Sequence, residues 1–330
     1  MHKTLLLATV LVLTGAPSIV PAEETRAPAD TCYLFTYFTK NGEDGLHLAW
    51  SRDGYKWEAL NGGRSCLTPT VGTAKLMRDP CVTRGPDGTY HMVWTSGWTE
   101  DDIGYASTRD FLTWSEEKEI PVMAAEPTVR NSWAPEIHFD EKRGEFIIFW
   151  ASTIPGKFPE TAGASESDYN HRIYFTTTKD FSTFAPTKLF YDPGFSVIDA
   201  TFLHADGRHW LIVKDETRNP PKKYLQLAEA ETLQGPFGKL SAPFTPAGLW
   251  AEGPTAIKIG GDYLVYFDAY MKKHYGAMRS RDLKTWEDVT EKMSFPDEGT
   301  PVRMRHGTVI AVPVELVARL RAATPAPPGP

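Results

Sequence analysis

The chain has 330 residues, 41% of them hydrophobic, enough for one large core or two small ones. Its formal net charge is −7 and it holds no basic tract, which argues against nucleic acid as a partner. An aromatic content of 12% suits an all-β chain and a sugar-binding surface.

In chain order, the first segment resembles a secretory leader. His2 and Lys3 form a short basic start, Leu5 to Leu13 an apolar run, and Val20-Pro21-Ala22 a cleavage signal. Residues 1–22 are therefore expected to be removed on export to a secreted or periplasmic location, with 23–31 as a linker. The apolar run is too short to span a bilayer and no other stretch reaches spanning length, so no membrane association is expected. Cys32, Cys66 and Cys81 allow at most one disulfide, which excludes a disulfide scaffold. The Pro-rich tail, 323–330, is expected to be disordered.

Between these ends the chain repeats. Residues 51–57 (SRDGYKW), 107–114 (STRDFLTW), 177–184 (TTKDFSTF) and 280–286 (SRDLKTW) share a small polar residue, an Asp and a later aromatic, and 228–237 (AEAETLQGPF) is a degraded copy. Ahead of these turns stand Asp79 in MRDPCV, Glu136 in WAPEIHF, Asp199 in VIDATFL and Glu252 in AEGPTAI; the same place later holds His306 in MRHGTVI. Gly88, Gly144, Gly207 and Gly260 follow the four acids, each before an aromatic, apolar run, which is a hairpin signature. The unit is four strands, so the expected fold is an all-β, five-bladed β-propeller over 32–322. The fifth blade is closed by N- and C-terminal strands: 33–57 supplies the later strands and 305–312 the first, a pairing that closes the ring and removes two open edges. Residues 314–322 suggest a short closing helix.

First strands of a propeller line its channel and run the same way. Asp79, Glu136, Asp199, Glu252 and His306 are then expected to meet at one end, with the long loop 153–171 walling one side. Clustered carboxylates do not all ionise freely. On an adjacent blade, Asp199 is expected to favour the protonated form of Glu252, with Asp79 across the channel; a carboxyl kept protonated can act as a general acid and a solvated carboxylate opposite it as a general base. That is equipment for glycoside hydrolysis, and a carboxyl separation of roughly 6.5–9.5 Å would leave room for the water of an inverting reaction. Trp98, Trp133, Phe195, Trp250 and Tyr270 lie near the expected mouth as core, rim or sugar-stacking rings. Arg78, His171, Arg172 and Arg305 are placed to bind sugar hydroxyls or to pair with the acids. The alternative use of the acids is a structural calcium ion; no Asp-x-Asp-x-Asp-Gly loop is present, and catalysis is the preferred reading.

At these residues the chain resembles glycoside hydrolase family 43, over most of 33–312. RDP, IDAT and AEGPT resemble that family's three acidic motifs, WAPE its blade-two motif, and RHG its channel histidine. The resemblance implies a five-bladed propeller and an inverting glycosidase acting on arabinose, xylose or galactose linkages. It makes Asp79 the base, Asp199 the modulator and orienter, Glu252 the acid and Glu136 a neighbour of the substrate, together with Trp133, Arg172, Trp98, Trp250 and Arg78. It makes His306 the support of a channel cation or water, with Ca2+ the candidate ion and no cofactor required for the chemistry. DATF departs from the family's common Asp-Pro. The loop style resembles exo-acting enzymes of terminal furanoses, α-L-arabinofuranose or β-D-galactofuranose, ahead of β-xylosidases and β-galactosidases. A carbohydrate substrate and a monomer are expected; a non-catalytic sugar-binding propeller is the rival.

Overall fold

The structure, a computed structural model, describes residues 30–323. The leader, most of the linker and the tail after Ala323 lie outside the described residues.

Five antiparallel sheets carry the chain. Blade 1 holds Arg78–Arg84, Tyr90–Thr95, Ile103–Thr108 and Lys118–Ile120; blade 2 holds Trp133–Asp140, Glu145–Ser152, Arg172–Thr178 and Lys188–Tyr191. Blade 3 holds Val197–Ala205, Arg208–Asp215 and Leu225–Ala230; blade 4 holds Glu252–Ile259, Asp262–Ala269, His274–Ser280 and Glu287–Asp288. Blade 5 joins the two ends of the described chain: Gly307–Pro313 pairs with Thr31–Tyr37 from Tyr37↔Gly307 to Thr31↔Pro313, followed outward by His47–Ser51 and Glu58–Ala59. The innermost strands touch in the order of blades 1, 2, 3, 4, 5 and back to 1, so the ring is closed. A closed ring shelters the inner sheet edges in its channel, and the register of blade 5 is the seam that holds it. Gly307 is required at that seam, because a Cβ there would lie 1.8 Å from the Thr36 carbonyl oxygen.

Apolar residues fill the wedges between neighbouring blades. One cluster joins blades 1 and 2 through Val93, Ile137 and Trp150; another joins blades 4 and 5 through Phe35, Trp57 and Tyr266. The helix Val314–Ala323 lays Leu316, Val317 and Leu320 into the wedge between blades 5 and 1. Cys32, Cys66 and Cys81 are free thiols.

The repeated Asp turns have one architecture. Asp110 Oδ1 accepts the Leu112 and Thr113 backbone N–H groups while Thr108 Oγ1 accepts that of Phe111; Asp53, Asp180 and Asp282 do the same. In blade 3 Thr232 stands in the place of that Asp, and Pro236, Pro243 and Pro246 remove backbone donors. The outer strand is lost there. Residues 238–244 instead meet the third strand through isolated bonds, Gly238 N–H to Glu229 O at 2.7 Å and Ser241 N–H to Leu227 O at 2.8 Å.

Candidate active site

A carboxylate at the mouth of a strand has a backbone explanation. In blade 1 the pairs Arg78↔Thr95 and Cys81↔Val93 leave Asp79 and Pro80 facing a single residue, which is a β-bulge. Asp79 has φ 53°, in the left-handed region that Asp tolerates better than most residues. Blades 2, 3 and 4 repeat the bulge, with Ala134, Asp199 and Gly253 at φ 48°, 53° and 56°. The bulge re-aims one residue per blade toward the funnel.

This corrects the register read from the acids. The equivalent residues are Asp79, Ala134, Asp199, Gly253 and His306, in the tetrads RDPC, WAPE, IDAT, EGPT and RHGT. Glu136 lies two residues deeper than that position and Glu252 one residue before it. The shared proline of RDP, WAP and EGP was the sequence signal for the true alignment.

The funnel residues are linked around the ring. His306 Nδ1 lies 3.1 Å from Asp79 Oδ1, and Thr95 Oγ1 donates to Asp79 Oδ2 at 2.8 Å. Gly253 N–H donates to Asp199 Oδ2 at 3.0 Å. Arg305 Nη2 donates to Glu252 Oε1 at 2.8 Å, and Lys214 Nζ to Glu252 Oε2 at 3.3 Å. Burial works against ionised Asp79, yet the hydrogen bond and charge of His306, with Arg78 and Thr95, hold its carboxyl well below the usual range. Burial also opposes a charged His306, but Asp79 outweighs it and lifts the imidazole to about 9. Asp199 goes the other way: burial raises it to about 6, against Lys214 and His306 and with help from Glu252 and Asp79. Both Glu252 oxygens contact a basic side chain.

Gly253 shows how tightly this ring is drawn. A Cβ there would lie 2.3 Å from His306 Cγ, on a backbone already at positive φ. Gly253→Ala is expected to cost about 2–4 kcal/mol of stability, read by chemical denaturation, and to push His306 from Asp79.

The other expected residues separate into two groups. At the mouth, Trp98 is 45% exposed, takes the Trp133 indole N–H on its backbone oxygen at 3.0 Å, and lies 4.4 Å from the Arg78 guanidinium. Arg78 is buried between Trp98 and Phe38, with Asn41 as its hydrogen-bond partner. Trp250 and Tyr270 stand half-buried on the opposite side, 5.9 Å apart. Arg172 does not reach the mouth. It is fully buried against Phe158, bonded to Asp192, Asn170 and Thr161, and its work is to tie down the 153–171 loop. Glu136 is 2% exposed and engaged by Thr201 at 2.8 Å and His138 at 3.2 Å, so it belongs to the channel wall below the mouth.

His306 is the residue expected to support a channel cation or water. His306 Nδ1 is committed to Asp79, and among the described residues no group of three or more His, Cys, Asp or Glu is placed to hold a metal ion. Sequence reasoning missed Lys214, Glu216 and Asp268. Their signal was a charge at the end of an otherwise apolar second strand: HWLIVKD holds Lys214, in register with Ile198, and YLVYFDA holds Asp268, in register with Glu252.

Comparison with known proteins agrees with this fold. The profile of a glycoside hydrolase family 43-related group, described as "Probable glycosyl hydrolase domain", matches residues 29–315. An α-L-arabinofuranosidase of Bifidobacterium longum subsp. longum is 23% identical over 397 residues, covering 96% of this chain and 36% of that protein. This chain therefore spans about a third of that relative's length. Among solved structures, an α-L-arabinofuranosidase from Lactobacillus brevis superposes with a TM-score of 0.52 at 16% identity, over 65% of this chain and 72% of that one. An exo-β-1,3-galactanase from Clostridium thermocellum gives 0.50 at 16%, over 67% and 50%. The two likenesses concern the fold. With its profile matched from the first strand of the ring to the last, the chain belongs to the glycoside hydrolase family 43-related group.

Proposed function

We propose that the chain is a secreted or periplasmic, monomeric, inverting exo-glycosidase that removes a terminal furanose, α-L-arabinofuranose or β-D-galactofuranose, from oligo- or polysaccharides. The observation that carries this reading is the meeting of Asp79, Asp199 and Glu252, from three blades, at one end of the funnel in three different environments. Asp79, kept ionised by His306, takes a proton from water as its oxygen bonds to the anomeric carbon. The glycosidic oxygen leaves with the proton of Glu252. Asp199 anchors the backbone directly after Glu252 and so orients the acid. The atoms balance without a cofactor. Trp98 and Arg78 on the base side, with Trp133 beside them and Trp250 across the mouth, offer ring faces and donors to sugar.

The furanose assignment is supported by the name of the Bifidobacterium relative, an α-L-arabinofuranosidase. A panel of p-nitrophenyl α-L-arabinofuranoside, β-D-galactofuranoside, β-D-xyloside and β-D-galactopyranoside tests it. Release from a furanoside with inverted product, followed by proton NMR, is the expected result. Cleavage of the pyranosides alone would replace the furanose with a xylose or galactose linkage. Binding of oligosaccharides without cleavage of any substrate would mark a sugar-binding propeller.

A further inference from the structure

Charged side chains of alternating sign run unbroken through one wall of the funnel, and Glu252 stands at their middle. The order is Lys223, Glu216, Lys214, Glu252, Arg305, Asp268, Arg303. Lys223 pairs with Glu216 Oε1, and Lys214 Nζ lies 2.8 Å from Glu216 Oε2 and 3.3 Å from Glu252 Oε2. On the other side Arg305 reaches Glu252 Oε1 at 2.8 Å and Asp268 Oδ2 at 3.1 Å, and Arg303 lies 2.8 Å from Asp268 Oδ1. The side chains of Asp268, Lys223 and Lys214 are 0%, 1% and 3% exposed, against 22% for Glu252.

Buried ion pairs are poor stabilisers, because desolvation offsets most of the Coulomb gain. What such a chain does provide is a fixed orientation for its most exposed carboxyl, that of Glu252. Lys214 is the member that cannot turn aside. It rises from the end of the second strand of blade 3, packs under the Tyr270 ring at 5.0 Å, and would leave Glu216 with one cation if it moved.

We propose that Lys214 is a positioning residue for proton transfer, acting through Glu252 by fixing the direction in which that carboxyl faces the leaving-group oxygen. This rests on the hydrolase reading above. A misplacement near 1 Å at a proton donor costs about 10²-fold in rate, and only where the leaving group needs the proton.

The test uses two aryl glycosides of the same sugar, with phenol and 2,4-dinitrophenol as leaving groups. Phenoxide needs protonation; dinitrophenolate departs without it. The variants are Lys214→Met and the charge-balanced Lys214→Met/Glu216→Gln, both checked for fold by near-UV circular dichroism and melting. The expected result is a fall in kcat of about 10²-fold on the phenyl glycoside and about threefold or less on the dinitrophenyl one, with KM nearly constant. Equal losses on both substrates, or none, in a folded variant overturn the proposal. Collapse of both variants assigns Lys214 to stability and overturns it equally. A wild-type protein inert on every glycoside removes the hydrolase reading, and this inference with it.

Discussion

Glu252→Gln is expected to lower turnover by about 10²–10⁴-fold on glycosides with poor leaving groups, the range lost when a general acid is removed. Sugar binding should persist. The amide keeps the size of the side chain and can still accept from Arg305, so the mouth formed by Trp250, Tyr270 and Arg305 stays in place. What disappears is the transferable proton. Activity on a substrate with an activated leaving group and calorimetric affinity for an oligosaccharide are the two measurements. Retained binding with lost turnover supports the acid role. Unchanged turnover would sink it and would leave the funnel as a sugar-binding site.

Asp79→Ala is expected to lose about 10²–10⁴-fold regardless of leaving group, because water then has no base at the opposite face. Azide, which needs no deprotonation, should restore part of the rate and yield a glycosyl azide of inverted configuration. Loss that tracks leaving-group ability, or azide product of retained configuration, would contradict the assignment. The same pair gives a pH signature of stability. His306, lifted to about 9 by Asp79, contributes stability that is fully present below its unfolded value and is lost as pH rises through about 9. Asp79, held below its ordinary value, contributes stability that is present above the unfolded carboxylate range and is lost as pH falls. The difference in melting temperature between wild type and Asp79→Asn should therefore be largest near neutrality and shrink toward pH 10. A difference that grows with alkalinity would rule out the His306–Asp79 pair as drawn.

The fold was legible because its signals are local. A Ser/Thr-x-Asp turn bonds to its own next residues, so its sequence and its structure are almost the same statement. Five look-alike units with complementary ends can close only one way, and the pairing of Thr31–Tyr37 with Gly307–Pro313 follows from edge satisfaction alone. The three acids were legible too, as polar residues that no apolar strand accepts without a reason.

Arg172 shows what was not legible. A basic residue opening a strand near the mouth looks the same in sequence whether it meets sugar or meets Asp192 and Thr161. Glu136 and Glu252 were counted two residues and one residue out of register, because the acids were aligned with one another and not on the bulge each strand carries.

By itself, then, the sequence determined the repeat and the ring it closes into, and it singled out Asp79, Asp199 and Glu252 as candidate acids. Only the tertiary structure decided their company: His306 on Asp79, the Gly253 amide on Asp199, Lys214 and Arg305 on Glu252. The physical reason is range. Turn bonds and strand alternation act over a few residues, whereas the charges that set a carboxylate's behaviour act through space between blades 38 to 227 positions apart in the chain.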